Sequence, residues 1–482
     1  MSMKYIYSIG FLILSFHAIG QCNCDAIQAT GTQITVSNIT ELEFAIDQAN
    51  ANNGNTTIIL LPGVYPLISN LRFISENMAN TTIMGSTQNS DDVYIRGMGW
   101  DNNSVTHIFN VAADNFTVAN MTIGEVFYHP VQVQSNPADA DNFIAQNVKF
   151  VDSKEQLLKV SAGGDLFAEN GIIQCCEFIF TEGIAYQFYT GGIDAHRAKD
   201  WEVKYNTFRG IRSPETNLAE HAIHFWRESS GTIVDANLII DCDRGIGFGL
   251  GQGLENGHTG GLIMNNMVHT SRDVGIGLES STDTKIYNNT VVTENYPRSI
   301  EYRFTSTTDA LIANNLVNGE ISDRSSGSTG VLTTNYQFES SSIFEEPSNY
   351  NFHLDELNID FLNIVGVGTK LDEVDQDYDC HLRTLDNASD IGADQILIMA
   401  SKNDQWIESS IKVYPNPNVG TFTLEGNLDG ASIKIYDDLG RLILSEKSIS
   451  KKIQIENLDA GVYYIYATKE GNFITKKIVV LE

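Results

Sequence analysis

VANMTI (118–123), AQNVKF (145–150), IQCCEF (173–178), VKYNTF (203–208), VDANLI (234–239), IMNNMV (263–268), IYNNTV (286–291) and IANNLV (312–317) are eight versions of one six-residue phrase. Successive copies start about 23 to 31 residues apart, a period that belongs to solenoids. Apolar residues alternate with polar ones around an Asn or Asn-Asn, which tolerates the sharp bend at the end of a short strand. This predicts an all-β chain built as a right-handed parallel β-helix. Each repeat makes one coil, strands stack at about 4.8 Å, and the corner asparagines hydrogen-bond from coil to coil as a ladder rather than forming a site.

The composition bounds what such a solenoid does. The chain has 482 residues, enough for a large β-helix and a small second domain. A net charge of −31 and a pI near 4.5 argue against nucleic acid as a partner, and a polyanionic ligand requires a local basic cluster. Residues 1–20, with one early Lys and an apolar run, read as a secretory signal peptide. AIGQC (18–22) lacks the small residue that normally precedes a lipoprotein cysteine, so lipid attachment at Cys22 is not expected. No later run reaches the roughly 18 apolar residues of a membrane span. Six cysteines in a secreted chain of this length make no disulfide framework. Cys175 and Cys176 take the Asn-Asn place of their repeat, as ladder substitutes or a buried thiol. Cys22, Cys24, Cys242 and Cys380 are available to pair, in an order the sequence leaves open.

Working outward from the repeats, Thr40-Glu41-Leu42-Glu43 reads as a capping box. It opens a helix, LEFAIDQANA, that plugs the first coil ahead of TTIILLPGVYPL. Residues 56–110 supply further coils, and the period fades from about 331. NFHLD (351–355), DCHLR (379–383) and DIGADQ (390–395) read as a closing segment with a structural role, so the β-helix domain is placed at 21–396. A polar linker (397–410) leads to 411–482, with VYPNPNVGTFTLEG, IKIYDDLGRLI, LDAGVYYIY and KKIVVLE. That last stretch resembles the C-terminal sorting domain of the Bacteroidetes type IX secretion system. The resemblance implies a small β-sandwich, the secretion machinery as partner, and a product that is secreted or displayed at the cell surface.

A second strand follows each corner: VQVQ (131–134), LKVS (158–161), IDAH (193–196), IHFW (223–226), IGFG (246–249), IGLE (276–279) and IEYR (300–303). Alternation sends the first and third residue of each into the core and the second and fourth outward. One outward column is then Gln132, Lys159, Asp194, His224, Gly247, Gly277 and Glu301. The other is Gln134, Ser161, His196, Trp226, Gly249, Glu279 and Arg303. Gly247 and Gly249 predict a bare floor beside Trp226 for a flat ring. Arg197, Arg209, Arg212, His221, Arg227 and Arg244 lie close by, and Tyr302 adjoins Arg303. A groove lined by cations, imidazoles and an indole points to an acidic polysaccharide. Against this stand ordinary structural roles: surface histidines, a Trp packed under a loop, and Glu279 or Glu301 paired with Arg303.

IDAHRAKDWEVKYNTF (193–208) and HFWRESSGTIVDANLI (224–239) resemble polysaccharide lyase family 6, the chondroitinase B and alginate lyase group. The resemblance implies a base at His196 or Arg197, where the family has Lys, and an acid or charge stabiliser at Arg227. It also brings a calcium ion that neutralises the uronate carboxylate, although no Glu-x-Glu of the family's kind precedes this stretch. The residues themselves demand no cofactor, and the need for a metal stays open.

The chemistry follows from the substrate. Removing the proton beside a uronate carboxylate adds charge to an anion, so cations must hold that carboxylate first. Arg227, Arg244 or Arg303 would do so, with His196, His224 or Lys159 as base. The expected activity is a lyase cleaving by β-elimination, with Asp194, Arg197, Arg212, His221, Trp226, Arg244, Tyr302 and Arg303 binding substrate, and a single chain sufficing. Three alternatives remain: an inverting hydrolase on Glu279 and Glu301, roughly 8 Å apart by strand geometry; a uronan epimerase; and a non-catalytic glycan-binding adhesin.

Overall fold

In a computed structural model the chain is described at residue 22 and over 24–396 and 411–481, apart from 72–74, 137, 356–357, 359–360, 384–388, 427, 438–440, 448–449 and 470–471. The expected signal peptide (1–20) and linker (397–410) lie outside the described residues. Two compact units form. One comprises residues up to 337 with 371–385 and 392–394; the other comprises 338–370, 386–391 and the chain from 395 onward.

The first unit is a parallel β-helix whose register follows the six-residue phrase. Its leading residues pair in one unbroken row: Val118 with Ala145, Ala145 with Ile173, Ile173 with Val203, Val203 with Val234, Val234 with Ile263, Ile263 with Ile286, and Ile286 with Ile312. The row extends back through Ile83 and Ile58 to Ile34 and forward to Leu332. The regular coils therefore continue through the strands Gly330–Thr333 and Tyr336–Gln337, beyond the point where the period was expected to fade. The phrase weakens there because one more coil is made with exposed Val331 and Leu332 in place of buried residues.

The two corner positions divide the labour. The third residue of the phrase takes positive φ, as in Asn120, Asn147, Cys175, Tyr205, Ala236, Asn265, Asn288 and Asn314, so each coil bends sharply. The fourth builds the ladder. Each Nδ2 donates to the next Oδ1 from Asn206 through Asn237, Asn266, Asn289 and Asn315 to Asn335, at 2.9 to 3.0 Å. Inside, the sixth position stacks Phe150 on Phe178 and Phe178 on Phe208, with centroids 4.4 and 4.6 Å apart. The core of this unit is apolar along its length, from Val36 to Val317.

The helix Ile39–Ala51 precedes the strand Thr56–Leu60 and buries Leu42, Ala45, Ile46 and Ala49. Its cap is two residues earlier than the sequence suggested. Asn38, not Thr40, accepts from the Glu41 N–H, and Glu41 reaches back to the Ser37 N–H. Asn38 carries extended backbone and a short acceptor, the pairing an N-cap requires.

Two disulfides tie down the N-terminal segment: Cys22 to Cys380 of the closing segment, and Cys24 to Cys175, which was expected as a ladder substitute or buried thiol but sits at a positive-φ corner within reach of Cys24. Cys242 was expected among the pairing candidates but is a free, buried thiol, because its strand Leu238–Cys242 turns that side chain into the core. Cys176 is the other free thiol, and burial pushes both up to about 12. Native protein is accordingly predicted to show no fast-reacting thiol. Denatured but unreduced protein should show two, and reduced protein six. A chromogenic thiol titration checks the series.

Arg383, from the closing segment, is 3 % exposed and donates to the Asn265 Oδ1 and to the Gly392 and Ala393 carbonyls. The second unit contains two antiparallel sheets between 412 and 480, three-stranded and four-stranded. Phe422, Leu424, Ile433, Ile435, Ile465 and Ile478 fill its core.

Candidate active site

The second strands form their own parallel sheet, nine-stranded among the described residues, and it is the wall that carries the chemistry. Lys159 pairs with Asp194, Asp194 with His224, His224 with Gly247, Gly247 with Gly277 and Gly277 with Glu301, so the first outward column exists as aligned. His196 stands beside Trp226, and Glu279 beside Arg303, in the second. The inward residues Ile193, Ala195, Ile223, Phe225, Ile246 and Phe248 are fully buried and fix which face the polar ones take.

The middle strands of this wall carry a network centred on Asp194, which is 4 % exposed. Its Oδ2 pairs with the Lys159 ammonium, and its Oδ1 accepts from the Trp226 indole N–H at 2.7 Å with His196 Nε2 at 3.4 Å. Lys159 Nζ also lies 3.1 Å from His196 Nε2, and the indole meets the His196 ring edge-on at 4.3 Å. Burial works against the Asp194 charge, but the His196 hydrogen bond and the Lys159 ammonium outweigh it and hold the carboxyl well below the usual carboxylate range. Burial lowers His196, more strongly than Asp194 raises it, so its imidazole is neutral at pH 7.

Further along the wall opens a cleft of about 350 Å³ lined by Arg244, Arg272, Arg303 and Arg324 against Asp273, Glu279 and Glu301. Each of the four arginines has a carboxylate partner: Arg244 pairs with Asp273 at 3.0 Å, Arg272 with the buried Asp243 at 3.1 Å, Arg303 with Glu279 and Arg324 with Glu301. The acids are committed: Glu279 pairs with Arg303 and accepts the Gly251 N–H, while Glu301 accepts from Arg324 at 2.9 Å and from Tyr296 at 2.6 Å. Burial, followed by the Glu301 contact, pushes the Tyr296 hydroxyl up to about 12. Arg272, Tyr296 and Arg324 sit outside the aligned strand segments, where no column marks them; a charged loop such as Ser271-Arg272-Asp273 was the available signal.

Several expected site residues fall elsewhere. His224 is on the wall but only 1 % exposed, with Nε2 donating to the Gly249 carbonyl at 3.0 Å. The bare floor is filled from within: a Cβ on Gly247 would meet the His221 ring at 2.7 Å, and Gly249, at φ +76, sits against the Glu279 carbonyl. Tyr302 faces the core at 8 % exposure, as strict alternation dictates. Arg197 and Arg227 occupy left-handed corners, φ 52 and 51, where the chain leaves the wall. Arg197 packs over Phe167 and pairs with Glu228 at 2.6 Å, while Arg227 is exposed at its corner, so neither joins the network. Arg212 is held by Asp241 at 2.7 Å and does not line the cleft.

Calcium takes six to eight oxygens, whereas the wall's candidate donor cluster among the described residues is Glu220, His221 and His224, which supplies two imidazoles and one carboxylate.

The fold and this wall define a parallel β-helix with a partly buried polar centre and an arginine-lined cleft. Comparisons with known proteins add an export signal and loose structural likenesses. Residues 412–481 match the family described as secretion system C-terminal sorting domain, and the chain is thereby marked for type IX export, to the medium or the cell surface. Among curated proteins, an ulvan lyase of Nonlabens ulvanivorans is 36 % identical over 77 residues. That match takes in 15 % of this chain and only 14 % of the relative's length. Among solved structures, an alginate lyase from Paenibacillus superposes with TM-score 0.42 at 13 % identity, over 63 % of this chain and 97 % of its own. A pectate lyase gives 0.44 at 11 %, over 76 % and 96 %. The A-module of a mannuronan C-5 epimerase from Azotobacter vinelandii gives 0.40 at 11 %, over 62 % and 95 %. No helix among the described residues is long and apolar enough to cross a membrane.

Proposed function

We propose that this chain is an exported polysaccharide lyase that cleaves a uronate-containing polymer by β-elimination at the Asp194 wall. The observation that carries the reading is the coexistence, on one wall, of a partly buried Lys159–Asp194–His196–Trp226 network and an arginine-lined cleft. Arg244 and Arg303, two and four coils away from His196, would meet carboxylates further along the polymer. Lys159, whose ammonium lies 3.1 Å from His196 Nε2, is the cation near enough to stabilise the charge that develops when the C–H bond beside the uronate carboxylate breaks. His196, neutral and held by Asp194, takes that proton; the C–H electrons form the ring double bond, and the C–O electrons leave with the glycosidic oxygen. The Lys159 ammonium beside His196 is the acid placed to protonate that oxygen. The hydrolase alternative would rest on Glu279 and Glu301, whose carboxylates are engaged by Arg303 and Arg324.

Incubating the exported protein with uronate polysaccharides from algae, animals and plants tests the reading. Near-ultraviolet absorbance of an unsaturated product is the expected result; new reducing ends without absorbance would instead mark a hydrolase. The pH profile identifies the base. Only neutral imidazole accepts a proton, and burial lowers His196 below its ordinary value of 6.5, so kcat/KM is predicted to stay level at neutral pH and fall only below pH 6.5. A rise confined to pH values near the ordinary lysine range of about 10 would move the base to Lys159.

A further inference from the structure

We infer that Glu220, His221 and His224 bind a divalent transition-metal ion of the zinc type. Each offers one donor atom, and the three lie within 4.8 Å of one another. Glu220 Oε2 and His221 Nδ1 are buried and have no hydrogen-bond partner, two orphans in one place where folded proteins rarely leave any. Two nitrogens face that oxygen, His224 Nδ1 at 3.8 Å and Arg244 Nη1 at 4.0 Å, and both are beyond hydrogen-bond reach.

The tautomer of His224 points the same way. A carbonyl only accepts, so the 3.0 Å contact from His224 Nε2 to the Gly249 oxygen puts the ring proton on Nε2. Nδ1 then carries a lone pair on the side of Glu220. A metal-ligating histidine is commonly oriented in this manner, through its other nitrogen to a backbone carbonyl. Two imidazoles and a carboxylate are a zinc-type donor set and not a calcium or magnesium set. Arg244 is the unfavourable neighbour, but its Nε is engaged by Asp273 at 3.0 Å, which offsets its charge.

The chain's local path makes the cluster. His221 and His224 are three apart in the strand His221–Trp226, a spacing that regular alternation would split between faces, yet their ring centroids are 4.7 Å apart. Three protein donors leave a four-coordinate ion one further position. His221 also lines the arginine cleft, so an ion here would add positive charge where an anionic ligand enters. The site itself does not depend on the lyase reading.

The test uses full-length, untagged exported protein stripped with a chelator and titrated with zinc chloride by calorimetry. The expected result is one ion per chain with a dissociation constant of about 1 μM or tighter, weakened at least about tenfold in Glu220→Gln and lost in His224→Gln. Asp379→Ala, altering the other His/Asp cluster, should leave binding unchanged. No saturable binding, or binding lost in Asp379→Ala and kept in His224→Gln, overturns the assignment. Cobalt loading of the unaltered protein decides it without any variant. A visible ligand-field band lacking sulfur-to-metal charge transfer supports the site, whereas thiolate charge transfer, which would place the ion on Cys176 or Cys242, or no visible band at all, overturns it.

Discussion

Asp194→Ala is expected to lower kcat on a cleaved uronan by about 10³-fold or more, the scale of a lost general base, and to destabilise the protein by about 3–5 kcal/mol. The reason is a shared anchor. One buried carboxylate holds the Lys159 ammonium, accepts the Trp226 indole N–H and faces His196, so removing it leaves an uncompensated lysine inside the wall and frees all three side chains. Asp194→Asn separates the two effects. The amide oxygen still accepts from Trp226, so stability should recover in part, while the missing charge leaves Lys159 and His196 misaligned and activity low. Denaturant unfolding and the absorbance assay read the two quantities. Wild-type turnover in Asp194→Asn would sink the mechanism.

Asn266→Ala should cost about 3–6 kcal/mol although it touches no part of the wall. Its Nδ2 donates to the Val234 and Met264 carbonyls and to Asn289 Oδ1, and its Oδ1 accepts from both Asn237 N and Asn237 Nδ2. Alanine leaves two or three of these groups buried without a partner, at about 1–3 kcal/mol each. Because each coil contacts only its neighbours, the damage should centre on the coils at Asn237 and Asn289. Hydrogen exchange would show protection lost there first. A loss below about 1 kcal/mol would mean that water or a backbone shift replaces the ladder contacts.

The column alignment and the site diverge in an instructive way. Every pair from Lys159 to Glu301 was legible because the strand period is two and the inward residues are uniformly apolar, so a single register buries them all. Arg227 was misplaced because the same period says nothing about the residue after a strand; a left-handed corner there swings the chain away from the wall. Tyr302, third in its strand segment, faces inward as the alternation requires. The arginine cleft owes Arg272 and Arg324 to loops whose path no periodicity encodes.

The amino-acid pattern alone determined the coil, its register, the ladder and the export domain, since each rests on local periodicity or a contiguous motif repeated until only one stacking buries the core. Tertiary structure decided the disulfide pairing, the filling of the Gly247 floor by His221, and the gathering of Lys159, Asp194, His196 and Trp226. These depend on distances between side chains some thirty residues apart or more, and such distances exist only once the coils have stacked.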